Sequence, residues 1–394
     1  MRRVHLFGAV LLAVVLLTAG CGSASSGSAS TTGPIKIGAV ISLTGKFAPS
    51  AEYVQEGYKY WEKTVNDAGG INGRKVQLVI RDDQSDAAAA ASLARSLVEK
   101  DGVFMILGPY GSGSTDTMAA VLEQLQVPML GTIASDSAIW DRRSLKWSFQ
   151  AFPSSDNDHE SFVNVAADQG AKRIVIINEE AGFSIAAAAK GKALAEQKGM
   201  TVLSLSYPST SKDFSSIVQK MKAFNPDAIS MGGYYAPSIA LTKEMIGQGL
   251  NVPGYHFIQS SDGVTADALG PNVNGIFGRS SWEPQLKTPK NADFVKGYES
   301  QFNRAPSYHA AAAYSAGQVT EAAIKAVGTD RDKVRNFFAT QSVETVQGTY
   351  KVNDKGQQTG FTYVGTQWQS GKKQIVWPSD QATAKAVWPK PAWS

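Results

Sequence analysis

The sequence is poor in the side chains that perform nucleophilic and metal chemistry. Its 394 residues include one cysteine, Cys21, so no disulfide can form within the chain. Outside the first twenty residues the only histidines are His159, His256 and His309, which stand in unrelated sequence contexts. No serine lies in a Gly-x-Ser-x-Gly turn, and no His/Cys cluster has zinc spacing. We therefore expect a protein that is not an enzyme and that uses no cofactor or metal.

Three short motifs resemble nucleotide or metal sites but lack essential parts of them. GSGSTD (111–116) has no third glycine of a dinucleotide fingerprint, and Gly45-Lys46 has no upstream glycine of a phosphate-binding loop. RDDQSD (81–86) follows a predicted strand, which favours Asp86 as a helix cap over a metal ligand. Acidic and basic residues are interspersed, so no surface for nucleic acid is expected.

The N-terminal segment predicts export. Arg2 and Arg3 precede an apolar run that ends in Ala-Gly, so residues 1–20 are expected to be a signal peptide. Its removal lowers the formal net charge from +4 to +2. Cys21 directly after Ala-Gly is typical of a bacterial lipoprotein, and an ordinary secretory cleavage is the alternative. Residues 21–34 are rich in Gly, Ser and Thr, which favours a flexible tether that leaves the folded part outside the cytoplasm, at a membrane surface.

Short apolar runs alternate with helical patterns through most of the remaining chain. IKIGAVIS (35–42) begins one series of strands and RIVIIN (173–178) begins a second. Such alternation predicts parallel sheets built from right-handed βαβ units, hence an α/β fold. Residues 35–394 exceed the usual size of one core, which favours two lobes. FMILGPYGSGSTDTMAA (104–120) and AISMGGYYAPSIALTKE (228–244) share a strand, a Gly-x-Tyr turn and a helix start, as expected for two similar lobes.

The pattern changes near residue 290. Two long helices and a short one precede VQGTYKVND (346–354) and FTYVGTQWQ (361–369), which we interpret as strands paired antiparallel across a Lys-Gly turn. Residues 377–394, rich in Trp and Pro, are expected either to pack on a surface or to be loose.

Ligands of open α/β sheets bind in loops at the carboxyl ends of the strands. In this chain those loops carry Gly111–Ser114, Ala134-Ser135 and Asp262. Hydroxyls and N–H groups at helix N-termini bind an anionic oxygen, and a facing carboxylate binds an ammonium group. The set therefore fits an α-amino acid. The pattern alone leaves an equal alternative, in which the serines and Asp262 only cap helices.

Several motifs together resemble the type I periplasmic-binding proteins of the branched-chain amino acid (Leu/Ile/Val) class. The resemblance covers residues 35–370 in order and rests on IKIGAVISLTG, VNDAGGINGRKVQLVIRDDQSD, GPYGSGST, KDFSSIVQKMKAFNPDAISMGGYY, SSDGV and SVETVQGTYKVNDKG. It implies two Rossmann-like lobes joined by a three-crossover hinge. The implied N-terminal lobe comprises residues 35–152 and 283–358, and the C-terminal lobe comprises residues 153–282 and 359–394.

The resemblance also implies a ligand site. Its carboxylate-binding positions correspond to Ser112 and Ser135, with backbone groups offered by Ile133 and Ala134. Asp262 corresponds to the residue that binds the ligand ammonium. The remaining candidates are aromatic residues: Tyr234 as a clamp, Phe183, Phe47 close to Ser50 (where the family often has a tyrosine), and Tyr110, an additional ring.

The function implied is that of a monomeric, lipid-anchored extracytoplasmic receptor that delivers an amino acid, branched-chain or similarly apolar or aromatic, to an ABC permease. Departures at Ser50 and Ser184 leave other small ligands open, namely an amide, urea or an aromatic acid. Two further alternatives are a sensory ligand-binding module and an exported α/β hydrolase. The hydrolase needs a base beside a nucleophile, and no such pair is evident in the sequence.

Overall fold

The computed structural model describes residues 33–394, so the predicted signal peptide and Cys21 lie outside the described residues. The first sheet has five strands, all parallel, in the order β2-β1-β3-β4-β5. Its strands are β1 (Ile35–Ile41), β2 (Val76–Asp82), β3 (Ile106–Leu107), β4 (Met129–Gly131) and β5 (Ser148–Gln150). The helices between them are α1 (Ala48–Asp67), α2 (Ala87–Glu99), α3 (Ser112–Leu125) and α4 (Ala138–Arg143).

The second sheet has seven strands in the order β14-β13-β10-β9-β8-β6-β7. Its parallel strands are β6 (Arg173–Glu179), β7 (Thr201–Tyr207), β8 (Ala228–Gly232), β9 (Gly254–Phe257) and β10 (Ile276–Ser280). The helices of this part are α5 (Glu160–Asp168), α6 (Gly182–Gln197), α7 (Ser215–Phe224), α8 (Tyr235–Gly247) and α9 (Val264–Leu269). Two sheets of parallel strands connected by helices confirm the predicted α/β fold class.

The chain then returns to the first lobe before it finishes in the second. The returning elements are α10 (Asn291–Phe302), α11 (Tyr308–Val327), α12 (Arg331–Thr340), β11 (Val343–Glu344) and β12 (Thr349–Tyr350). Their buried side chains share one core with β1 and α1. The final strands, β13 (Val364–Gln369) and β14 (Lys372–Trp377), extend the second sheet. The chain thus crosses between lobes three times.

The predicted antiparallel pairing of residues 346–354 with 361–369 is wrong. β12 pairs with β11, whereas β13 pairs antiparallel with β10 and β14. Only an isolated bridge, Val352 with Gln358, spans the Lys-Gly turn. The reason lies in burial, because Tyr350 packs in the core of the first lobe and Trp368 in the core of the second. The two segments therefore lie in different lobes, on either side of a point where the chain crosses between them, and they do not form a hairpin.

The Trp/Pro-rich end packs on the second lobe. The Trp388 ring contacts Phe162 and Phe277, and Trp393 Nε1 donates a hydrogen bond of 2.7 Å to the Leu250 carbonyl. Of the two outcomes left open by the sequence, the structure supports packing. Among residues 33–394 no helix has both the length and the apolar composition needed to cross a membrane.

Two of the three histidines in the described part of the chain are neighbours in the core of the second lobe. His159 Nδ1 and His256 Nδ1 lie 2.7 and 2.8 Å from the Ser230 hydroxyl, and all three side chains are fully buried. The two histidines stand in unrelated sequence contexts and meet only in the fold, because the start of α5 packs against β8 and β9. Burial, with the Arg279 charge, lowers the pKa of His159 to about 4, and burial lowers that of His256 as well.

This histidine pair predicts acid sensitivity. A folded-state pKa below the unfolded value near 6.5 means that stability is fully present above pH 6.5 and is lost as the pH falls towards 4. We expect the parent protein to lose about 2 kcal/mol more than a His159→Asn variant between pH 7 and pH 5. Urea denaturation at both pH values measures this difference. Equal losses in parent and variant would contradict it.

Candidate functional site

A small cavity lies between the two lobes, at the carboxyl ends of both parallel sheets. Its volume is about 20 Å³, which is room for about one water molecule. It is lined by Tyr110, Gly111, Ser112, Ile133, Ser135, Phe152, Phe183, Tyr234, Gln259, Arg279 and His309. A ligand larger than water therefore needs the lobes or the lining side chains to move apart. We call this space the interlobe cavity.

The first lobe contributes two serines from consecutive strand ends. Ser112 begins α3, and its hydroxyl accepts a hydrogen bond of 3.1 Å from the Asp136 N–H. The preceding Gly111 has φ of +90°, and a Cβ there would lie 3.1 Å from the Tyr234 hydroxyl. A residue with a side chain at Gly111 would be strained. The tight turn thus exposes the N-terminus of α3, a favourable place for an anionic oxygen, to the interlobe cavity.

The loop after β4 contributes Ser135 and Ile133 to the cavity. Ala134, predicted beside them, does not line it but is buried in the hydrophobic core behind α3. The carbonyl groups of this loop are already used. The Ala134 carbonyl accepts a bond from Gln150 Nε2 at 2.9 Å, and the Ile133 carbonyl accepts one from the Gly111 N–H at 3.0 Å. These bonds fix the loop so that Ser135 faces the cavity.

Aromatic rings form a continuous wall that links the lobes. The Tyr234 ring lies 5.0 Å from Phe183 and 4.5 Å from Phe47, and Phe47 lies 5.4 Å from Tyr110. Phe47 does not line the interlobe cavity; it packs behind Tyr110 and Tyr234 and lines the neighbouring cleft. Tyr234 is fixed by its own N–H, which donates to Glu179 Oε2 at 2.7 Å. The Gly-Gly-Tyr-Tyr turn after β8 therefore presents the Tyr234 ring to the cavity between the lobes.

The hydroxyls of the two cavity tyrosines are neutral at neutral pH, and burial moves their ionisation further from it. The pKa values of Tyr110 and Tyr234 are raised, mainly because both side chains are removed from water. At neutral pH each hydroxyl is therefore available as a hydrogen-bond donor. Tyr110 also joins the lobes, since its hydroxyl accepts a bond of 3.2 Å from Gln259 Nε2.

Asp262 lies behind the cavity wall. It is fully buried; its Oδ2 accepts a bond of 3.2 Å from the Ser50 hydroxyl and lies 3.3 Å from His309 Nδ1. Its Oδ1 has no hydrogen-bond partner. Both neighbours come from the first lobe, from the first turns of α1 and α11. Asp262 is thus a contact between lobes, and His309 is the residue that lines the cavity in front of it.

Six of the nine predicted ligand residues line the interlobe cavity, and Ala134, Phe47 and Asp262 lie behind it. Sequence reasoning missed four lining side chains: Phe152, Gln259, Arg279 and His309.

Of these four residues, Arg279 is the one that a sequence feature could have identified, because it is the single charged residue in the apolar run IFGRS. Buried arginines need a partner, and such a position in a strand points to a partner inside the protein or to a ligand.

Comparisons with known proteins agree with this architecture. The profile of the periplasmic binding protein family matches residues 34–373. A relative in Brucella suis biovar 1 (strain 1330), named Leu/Ile/Val-binding protein homolog 8, is 27% identical over 405 residues, which covers 95% of this chain and 98% of the relative. Homolog 7 of the same strain is 26% identical over 409 residues, which covers 97% and 99%.

Solved structures share the fold. The branched-chain amino acid transporter substrate binding protein LivJ from Streptococcus pneumoniae, in complex with isoleucine, has a TM-score of 0.80 at 21% identity and covers 90% of this chain and 100% of its own. A solute binding protein of an ABC transporter from R. palustris, in complex with benzoate, has a TM-score of 0.79 at 20% identity and covers 91% and 98%. Proteins of one fold thus hold an amino acid in one case and an aromatic acid in the other.

Proposed function

The chain belongs to the periplasmic binding protein family, and from this premise we propose that it is the extracytoplasmic solute receptor of an ABC importer. It captures a small carboxylate-bearing solute between two closing lobes and delivers it to the permease. The observation that carries the proposal is the interlobe cavity, whose hydroxyl, amide, guanidinium and imidazole groups come from both lobes.

Contacts from both lobes explain how ligand binding would favour closure. A ligand held by Ser112 and Ser135 on one side and by Arg279 on the other gains its full set of contacts only in the closed form. A ligand shifts an equilibrium by its difference in affinity between the two forms. Direct contacts, such as that between Tyr110 and Gln259, hold the closed lobes together as well.

The first candidate ligand is an α-amino acid with an apolar or aromatic side chain. Its carboxylate would be bound at Ser112 and Ser135, and its side chain would pack on Phe183 and Tyr234. Asp262 supports this choice, because its buried Oδ1 lacks a partner and suits an ammonium group. The names of the Brucella relatives and the isoleucine complex point in the same direction.

The second candidate is an aromatic acid without an amino group. This candidate is favoured because Asp262 lies behind His309 and Ser50, and these two residues already serve as partners of its carboxylate. Of the described residues that line the cavity, none is acidic, whereas Arg279 is a buried cation. The benzoate complex of the R. palustris protein supports this candidate.

An Asp262→Asn variant separates the two candidates. If the ligand is an amino acid, we expect the substitution to weaken its binding about 30-fold or more, because the ammonium loses its charged partner. Calorimetric titration with leucine, phenylalanine and 4-hydroxybenzoate measures this for the parent and the variant.

Asp267→Asn is the matched control, since Asp267 is exposed in the same lobe. If only 4-hydroxybenzoate binds, and Asp262→Asn leaves its affinity unchanged, the amino acid candidate is rejected and the aromatic acid is retained. If none of the three solutes closes the lobes in small-angle scattering, the proposed receptor function itself fails for these ligand classes.

The membrane placement of the receptor is part of the same proposal. Export through residues 1–20 and acylation of Cys21 would hold a monomeric receptor next to its permease, with residues 22–34 as the tether. The apolar run and the position of the cysteine after Ala-Gly support this arrangement.

A further inference from the structure

Arg279 lies at the interlobe cavity as a buried, incompletely paired cation. It belongs to β10, an interior strand of the second sheet, is 3% exposed and lines the cavity. Its Nε donates a hydrogen bond of 2.8 Å to Asp158 Oδ1. Its Nη1 is buried without a hydrogen-bond partner. A buried donor left without a partner is unfavourable, so an acceptor supplied by a ligand would be stabilised there.

Three aromatic rings surround the guanidinium. The Tyr363, Tyr308 and Phe152 rings lie 4.3, 5.7 and 5.9 Å from Arg279 Cζ. Arginine stacks on aromatic faces while its N–H groups stay free in the plane of the guanidinium. Because Nε donates to Asp158, the Nη1 group remains available as a hydrogen-bond donor to a ligand.

Resting on the receptor function proposed above, we propose that Arg279 is the carboxylate anchor of the interlobe cavity and that the ligand is a small monocarboxylate. Ser112 and Ser135 donate from the first lobe, while Arg279 supplies the charge from the second. Charge-assisted bonds between arginine and a carboxylate are about twice as strong as bonds between neutral groups. The site then rejects amides of the same shape, whether or not the ligand carries an amino group.

Matched carboxylate and amide pairs test the anchor. The probes are phenylalanine with phenylalaninamide, and benzoate with benzamide, titrated calorimetrically into the full protein. We expect the parent to prefer the carboxylate of whichever pair it binds by about 30-fold or more. A variant that combines Arg279→Gln with Asp158→Asn leaves no lone buried charge, and its preference is expected to fall at least tenfold.

Two further variants keep the result interpretable. Arg279→Lys retains a charge beside Asp158 and is expected to keep part of the preference, since lysine lacks the fixed planar donors of arginine. Arg142→Gln changes a half-exposed arginine in the neighbouring cleft and is expected to leave the preference unchanged.

The outcomes separate the anchor from the receptor function. The anchor is rejected if the parent binds an amide as tightly as its carboxylate, or if the double variant stays folded and keeps the parent's preference. If the parent binds none of the four probes, the proposed ligand class fails first, and the anchor fails with it.

Discussion

Replacing Asp158 with alanine is expected to lower the free energy of unfolding by about 3–5 kcal/mol. Asp158 is fully buried and is paired with Arg279, whose side chain is 4% exposed. Removal of the carboxylate leaves the guanidinium as an uncompensated buried charge, and the loss of one partner of a buried pair is costly for that reason. Urea denaturation followed by circular dichroism measures the change.

Asp156→Ala is the matched control for Asp158→Ala. Asp156 lies two residues away, is 45% exposed and stands 3.9 Å from Lys190. Exposed pairs of this kind contribute about 0–1 kcal/mol. The combined Asp158→Asn and Arg279→Gln variant is expected to recover part of the lost stability, because no unpaired ion remains buried. An effect of Asp158→Ala as small as that of Asp156→Ala would show that the carboxylate does not balance the Arg279 charge.

Replacing Trp61 with alanine is expected to cost about 3–5 kcal/mol as well, through a cavity in the first lobe. Trp61 is 1% exposed and lies where α1 and α11 pack together. A Cβ on Gly317 of α11 would lie 2.3 Å from the indole ring, so the absence of a side chain there makes room for the tryptophan. Urea denaturation measures the loss of stability.

The control for Trp61→Ala is Ile185→Ala, because Ile185 is 52% exposed and its truncation is expected to change stability by less than about 0.5 kcal/mol. The first turns of α1 and α11 also carry Ser50 and His309, so loosened helix packing is expected to weaken ligand binding in the same variant. Unchanged stability after Trp61→Ala would mean that the two helices do not depend on this contact.

The sequence determined the local elements because each depends on residues close in the chain. Asp86 illustrates this: it was predicted as a helix cap, and its side chain accepts a bond of 2.8 Å from the Ala89 N–H. The alternation of strands and helices likewise predicted parallel sheets correctly. The strands β5, β10, β11 and β14 were not predicted, because an irregular run of two to six residues carries little periodic signal.

The pairing of strands that are far apart in the sequence could not be predicted from local patterns. FTYVGTQWQ has a strand pattern, and β13 forms there, but its partners are β10 and β14 instead of residues 346–354. The sheet edge at which a strand pairs depends on the hydrophobic core that the apolar side chains of the strand fill. That choice involves residues more than eighty positions apart, and no local pattern reports it.

The residues of the candidate site were likewise predictable from the sequence only in part. Tyr110, Ser112, Ser135 and Tyr234 follow strand ends, and the topology of parallel sheets places strand ends at one crevice, so chain order predicts that these residues lie close together. Asp262 was singled out for its charge, but only the structure shows that its carboxylate contacts Ser50 and His309 of the first lobe.

By itself the sequence determined the fold class, the two series of strands and the side chains at their carboxyl ends, because these follow from periodicity and chain order. Only the tertiary structure decided that Arg279 is paired on one side with Asp158 and faces the interlobe cavity on the other. The physical reason is that desolvation and pairing are properties of a three-dimensional neighbourhood. Asp158 and Arg279 are 121 residues apart in the chain and become partners only when the second lobe is assembled.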